Sequence, residues 1–162
     1  MTLQEILTEQ VEGWATLGHP ALLDRFILRN GKAFAPGNRI GRKGAPKECY
    51  GNATKFVFRH HDAKYVEGFV INKELPIPIH HAWVTFDGKT VMDPTLDAEK
   101  YEYFGVEFDT STLRKETVKL GVYGILDPGL GFNTDLMFKI DPELKTICEA
   151  VLQTAQPRRS QK

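Results

Sequence analysis

The chain is short of cysteine, of net charge and of long apolar runs, and each shortage removes a class of protein. Its two cysteines, Cys49 and Cys148, stand 99 positions apart. No disulfide framework can be drawn from them, and 162 residues are enough to bury a core without one. The 21 basic residues are balanced by 21 acidic ones, which removes any general electrostatic pull toward nucleic acid or an anionic membrane. No stretch approaches the ~18 consecutive apolar residues of a membrane span. The opening MTLQEILTEQ carries two glutamates and no apolar signal core. Neither HExxH nor CxxC occurs, so no common metal spacing is present. These exclusions leave the expectation of a soluble, cytoplasmic protein without membrane or nucleic-acid partners. One domain over residues 1–154 is expected, with 155–162 as a disordered tail.

What is present follows two periods. Leu3, Ile6, Leu7, Val11, Trp14 and Leu17 recur at helical spacing behind Thr2, a capping residue. Gly18 ends that helix, and Pro20 opens a second that carries Leu22, Leu23, Phe26 and Ile27 to Asn30–Gly31. Residues 34–47 read as a loop, and Pro46 fits the first turn of a third helix reaching about His60. Strand character then takes over in AKYVEGFVIN (63–72), HHAWVTF (80–86), KTVMDPT (89–95), YEYFGVEF (101–108) and VYGIL (122–126). ELPIPI separates the first two. DTSTLRKETVK reads as a short helix, and a last helix from Asp141 carries the stripe Leu144, Ile147, Cys148 and Val151. Helices first and antiparallel strands second make an α+β domain, its N-terminal helices packed on the sheet.

Cys148 belongs to an apolar helical stripe and reads as core. Cys49 does not. It follows the basic, glycine- and proline-punctuated GRKGAPKE and stands where a helix begins, a position that favours a thiolate. On that helix it shares a face with Ala53, Phe56 and Val57, which turns its sulfur toward the sheet. Gly51 costs a helix roughly 1 kcal/mol relative to alanine, so close approach of a strand or substrate is expected there. Two residues supply what a cysteine nucleophile needs: His81 to move the proton and Asp93 to orient the imidazole. They share a face only if the turn between them has the right length. A two-residue Asp87–Gly88 turn would oppose them. A three-residue Phe86–Asp87–Gly88 loop with a left-handed glycine pairs Thr85 with Lys89 and sets His81 across from Asp93, Cβ atoms ~5 Å apart.

The string HAWVTFDGKTVMDPT, preceded by Cys49 and by YVEGFV at 65–70, resembles the histidine–aspartate hairpin of the transglutaminase-like branch of papain-fold cysteine enzymes. The resemblance covers about residues 45–96. It implies a transglutaminase-like, papain-like core and thiol acyl transfer, with Cys49 as nucleophile, His81 as base and Asp93 as orienter. The implied substrate is a protein or a peptide-like amide, handled without a cofactor. An amide or peptide bond hydrolase, a transglutaminase and a deamidase all fit, hydrolysis being the simplest because nothing in the sequence marks an amine acceptor site. The family's oxyanion side chain, a glutamine or an aromatic shortly before the nucleophile, is absent from GRKGAPKE. The Cys49 N–H is one donor in its place, with Asn38 or Asn52 as candidates for another. The reading from another class is a binding or scaffold module that keeps the fold and has an inert cysteine.

Tyr50 and Asn52 flank Cys49 and are candidate substrate contacts. Trp83 lies two residues from His81 on the same face, as a wall of the site, a shield of the ion pair or ordinary core. His80 and His81 point to opposite faces and cannot easily share one ion. His80 is expected to be exposed beside the site, and His19 to be a loop or capping residue. Glu67, in mid-strand, is expected to pair with Arg42 or Lys43 or to face solvent. The basic run RIGRKGAPK (39–47) reads as a solvated loop or as an attraction for an acidic substrate.

Overall fold

The computed structural model describes residues 1–37, 42–129 and 131–155. Asn38 and residues 39–41 of the basic run lie outside them, as do residues 156–162 of the expected tail. Helix α1, Leu3–Thr16, starts at a capping box in which Thr2 and Glu5 exchange side-chain and backbone hydrogen bonds. Helix α2 is Leu22–Asn30 and α3 is Cys49–Arg59. A short strand β1, Lys32–Phe34, was not evident in the sequence. Strands β2 (Lys64–Asn72), β3 (Leu75–Thr85) and β4 (Tyr101–Phe108) follow. Helix α4 (Thr110–Leu120) is capped by Asp109 and α6 (Pro142–Thr154) by Asp141. Helix α5, Thr134–Ile140, lies in a stretch the sequence reading left unassigned. Six α-helices and one four-stranded antiparallel sheet among the described residues make the fold α+β. No helix among them is long and apolar enough to cross a membrane.

The sheet runs β1-β4-β2-β3, so the last strand in the chain occupies an interior place and β3 forms an edge. Alternation divides its side chains between two clusters. Tyr65, Phe69, Ala82, Val84, Phe104 and Val106 face the helices, against Leu7, Phe26, Val57, Leu113 and Leu144. Val66, Val70, Trp83 and Tyr103 face the other way and are covered by Phe34, Val91 and Ala98. Cys148 is buried in the helical cluster, and burial pushes its thiol pKa up.

Three strand boundaries differ from expectation. LPIPI (75–79) is the first half of β3 rather than a spacer, with Glu74 in the turn before it. Proline is tolerated there because β3 is an edge strand, and its pairing with β2 shifts register between Val70 and Asn72. Leu75, Ile77 and Ile79 stand exposed on that stretch. Residues 89–95 are not a strand, since only isolated bridges join Val84 to Met92 and Ala35 to Thr90. Residues 122–126 are not a strand either, because the amides of Ile125 and Leu126 bond to a side chain.

Candidate active site

Helix α3 begins at Cys49 itself, not at Pro46. Lys47 adopts a left-handed φ of 64°, and helical geometry cannot run through such a residue. Glu48 is the N-cap but makes no side-chain capping bond, so the Cys49 N–H is among the amide groups that a helix start leaves without an intrahelical partner. Cys49 is half-buried, with Ala53 and Val57 fully buried below it. Gly51 is where Tyr123 approaches: a Cβ there would meet the Tyr123 ring at 3.2 Å. The close neighbour expected at this glycine is therefore a side chain of the segment after α4.

His81 and Asp93 meet by a different turn from the one predicted. Val84 and Met92 exchange backbone hydrogen bonds of 2.9 and 2.7 Å, so the connection is longer than three residues and Thr85 does not pair with Lys89. The Asp87 carboxylate organises it, accepting from the Lys89 and Thr90 amides at 2.8 and 2.7 Å and from the Thr90 hydroxyl at 2.8 Å. Gly88 is left-handed as expected, at φ 71°. A Val84–Met92 pair keeps residues 81, 83 and 93 on one face, and Asp93 becomes the diagonal neighbour of His81 instead of its opposite. The His81 Nε2–H donates to Asp93 Oδ2 at 2.8 Å.

Asp93 is saturated with donors. Oδ2 also accepts from the Tyr103 hydroxyl at 2.8 Å, and Oδ1 accepts from the amides of Thr95 and Leu96 at 2.8 and 2.9 Å. Burial opposes its charge, but the His81 hydrogen bond and charge outweigh that and hold its pKa below the ordinary carboxylate value. Burial likewise opposes a charged imidazole. Hydrogen bonding to Asp93 and to Cys49, with the charges of both, still lifts the His81 pKa to about 9. Because Asp93 takes Nε2, Nδ1 is the nitrogen left for another partner. A cysteine beside an imidazole that a buried carboxylate orients is an arrangement suited to nucleophilic attack.

Trp83 has no exposed surface. It stacks on His81 at 6.3 Å between centroids with 17° between planes, and meets Tyr103 and Phe34 edge-on. It therefore backs and shields the ion pair, leaving none of its surface for a substrate. Gly105 opens its slot, and Gly68 leaves room for the β4 backbone. Gly68 and Gly105 are register partners, and Gly68 pairs with His81 on its other side. A Cβ on Gly105 would lie 2.6 Å from the indole and 2.9 Å from the Glu67 carbonyl oxygen.

The remaining candidates are tied into the frame. The Asn52 amide donates to the Ala45 carbonyl at 2.8 Å and to the Thr95 hydroxyl at 3.0 Å, lacing the loop before α3 to the segment after Asp93. Tyr50 is half-buried, and its hydroxyl lies 2.6 Å from His80 Nδ1. Burial lowers the His80 pKa and raises that of Tyr50, so the tyrosine donates and the neutral imidazole accepts. His80 is largely buried, its Nε2 without a hydrogen bond but 3.7 Å from the Glu67 carboxylate, and not the exposed neighbour expected. His19 is a loop residue, its Nδ1 accepting from the Ala21 amide at 3.1 Å just before α2.

Two residues went unrecognised in the sequence. Glu67 neither pairs with Arg42 or Lys43 nor faces solvent. It is fully buried and accepts from the Tyr65 hydroxyl at 2.7 Å and from the amides of Ile125, Leu126 and Asp127 at 2.9, 3.0 and 3.2 Å. Through it β2 pins the segment that carries Tyr123 over Gly51. Tyr103 is the second; the alternation of YEYF could have placed it on one face of β4, but its bond to Asp93 depends on sheet order. Among the described residues no group of three or more His, Cys, Asp or Glu side chains is placed to hold a metal ion. No protein-family model, curated protein or solved structure matches the chain.

Proposed function

We propose that this chain is a thiol-dependent acyl-transfer enzyme with a transglutaminase-like core, acting on a protein or peptide-like amide. The observation that carries the reading is the His81 ring bonded to the buried Asp93 carboxylate, with Cys49 at the start of α3 among the groups that raise its pKa. The Cys49 sulfur attacks the amide carbonyl, and its former proton resides on His81. The oxyanion that forms is within the field of the helix start, where the Cys49 N–H is the first donor. His81 then protonates the departing amine, a thioester remains on Cys49, and water activated by the same imidazole releases the acid. An amine in place of water would give transfer instead. Asp93 holds the ring in one orientation throughout, and Trp83 excludes solvent from the ion pair.

The test is the rate of Cys49 alkylation by iodoacetamide, measured against pH with Cys148→Ala as background. The expected result is rapid alkylation near neutral pH that falls by about tenfold or more in His81→Ala. Slow alkylation in the folded protein, unchanged by the loss of His81, would leave a fold with an inert cysteine.

A further inference from the structure

A groove of about 340 Å³ runs beside the start of α3, lined by Arg42, Gly44, Asn52, Lys55, Phe56, Arg59, His60 and Pro94. Three of these are cations, all exposed, and no acidic residue lines it among the described residues. Its floor is apolar and ordered: Phe56 stacks on His60 at 4.1 Å, and Lys55 is held with its ammonium 5.3 Å from the Tyr123 ring centroid. Two of its lining residues adjoin the candidate site. Asn52 lies one turn from Cys49, and Pro94 follows Asp93, with its carbonyl accepting from the Gly44 amide at 2.7 Å.

From these observations we infer that the groove binds carboxylate side chains of an acidic peptide substrate and leads its backbone to Cys49. The inference rests on the acyl-transfer reading and names the substrate class for it. Helical rise sets the geometry: Lys55 stands ~9 Å and Arg59 ~15 Å beyond Cys49 along α3. An extended peptide covers ~3.3 Å per residue, so the preferred carboxylates stand about three and about five residues from the reacting amide. A peptide fits better than a nucleic acid. Three cations around one compact groove match two or three carboxylates, whereas a polyanionic backbone calls for a longer basic track and a basic excess, and this chain has a net charge of zero.

The test uses acetyl-hexaglutamate amide as probe and acetyl-hexaglutamine amide as its neutral counterpart. Binding is followed by chemical shifts of the α3 amides in the full chain carrying Cys49→Ala, which makes the readout independent of thiol chemistry. Hexaglutamate is expected to bind and hexaglutamine not. Affinity should drop by about tenfold or more when the monovalent salt is raised from about 0.05 to 0.5 M, a loss that needs no variant to fold. Lys55→Glu with Arg59→Glu should reduce it similarly. In the unsubstituted protein hexaglutamate should protect Cys49 from iodoacetamide. Equal binding of both peptides overturns the inference, as does binding that leaves Cys49 unprotected. Tighter binding of a six-nucleotide DNA than of hexaglutamate overturns it in favour of nucleic acid. If hexaglutamate binds and protects while alkylation proves independent of His81, the acidic-peptide groove stands and the acyl-transfer reading falls.

Discussion

Asp93 carries more of this molecule than an orienting role requires. Four donors converge on its two oxygens, from His81, Tyr103, Thr95 and Leu96, and it is almost wholly buried. Replacing it by alanine strands a charged imidazole, a phenol and two amides at once. Asp93→Ala should therefore lose about 3–5 kcal/mol of stability, read as a lowered midpoint in urea unfolding. Asp93→Asn keeps an acceptor for the two amides and should lose clearly less. Equal losses in the two variants would mean that the amide bonds contribute little. At this scale the sequence was most legible where parity decides: His81 and Asp93 had to share a face, and they do. It was least legible at Glu67, because its partners are backbone amides 58–60 residues away, and amides carry no residue-type signal.

Among the elements, the strands matter most through what they leave out. Gly68 and Gly105 face each other across β2 and β4; Gly68 leaves room for the β4 backbone, and Gly105 for the Trp83 indole that stacks on His81. Gly105→Ala would press a methyl group into both the indole and the Glu67 carbonyl. Overpacking of this kind costs about 1–3 kcal/mol, and the displaced indole should also slow Cys49 alkylation through His81. A variant that melts like the parent and alkylates at the parent's rate would show that the slot is not tight. The helices were predicted within a residue or two wherever capping chemistry was present, as at Thr2, Asp109 and Asp141. Errors fell where tertiary partners override local pattern. Lys47 turns left-handed and delays α3, Asp87 draws in a wide turn, and Glu67 takes the amides that would have made residues 122–126 a strand.

For the molecule as a whole, the site sets a dependence on pH. Folded His81 holds its proton to about pH 9, whereas the unfolded residue loses it near 6.5. Its contribution is complete below pH 6.5 and is lost as pH rises through about 9. Asp93 works from the other side: its folded pKa lies below the ordinary 3.8, so its contribution is present above that value and lost as pH falls through the folded one. Asp87, Glu107 and Asp141 are depressed in the same direction. His80, its pKa lowered by burial, loses its contribution as pH falls below 6.5, so the urea midpoint should be highest near pH 6.5 and decline from there to 9. Cys49→Ala should keep a shallower decline, since the Asp93 bond remains, and His81→Asn should lose it. A flat profile in the parent across 6.5–9 would contradict the raised pKa of His81. The α+β class and most elements were legible from the chain, but the order of the sheet was not, since that order is set by which strands meet in space.

That order has a consequence in time. During synthesis Cys49, His81 and Asp93 leave the ribosome before β4 does, and the β2–β3 hairpin can close early. Yet β4 is the strand that inserts between β1 and β2 and brings Tyr103 to Asp93. Residues 125–127 arrive later still to satisfy Glu67. A nascent chain halted after residue 96 would carry all three groups without Tyr103 or the amides that satisfy Glu67, so reactivity at Cys49 should emerge only after residues 125–127 have left the ribosome.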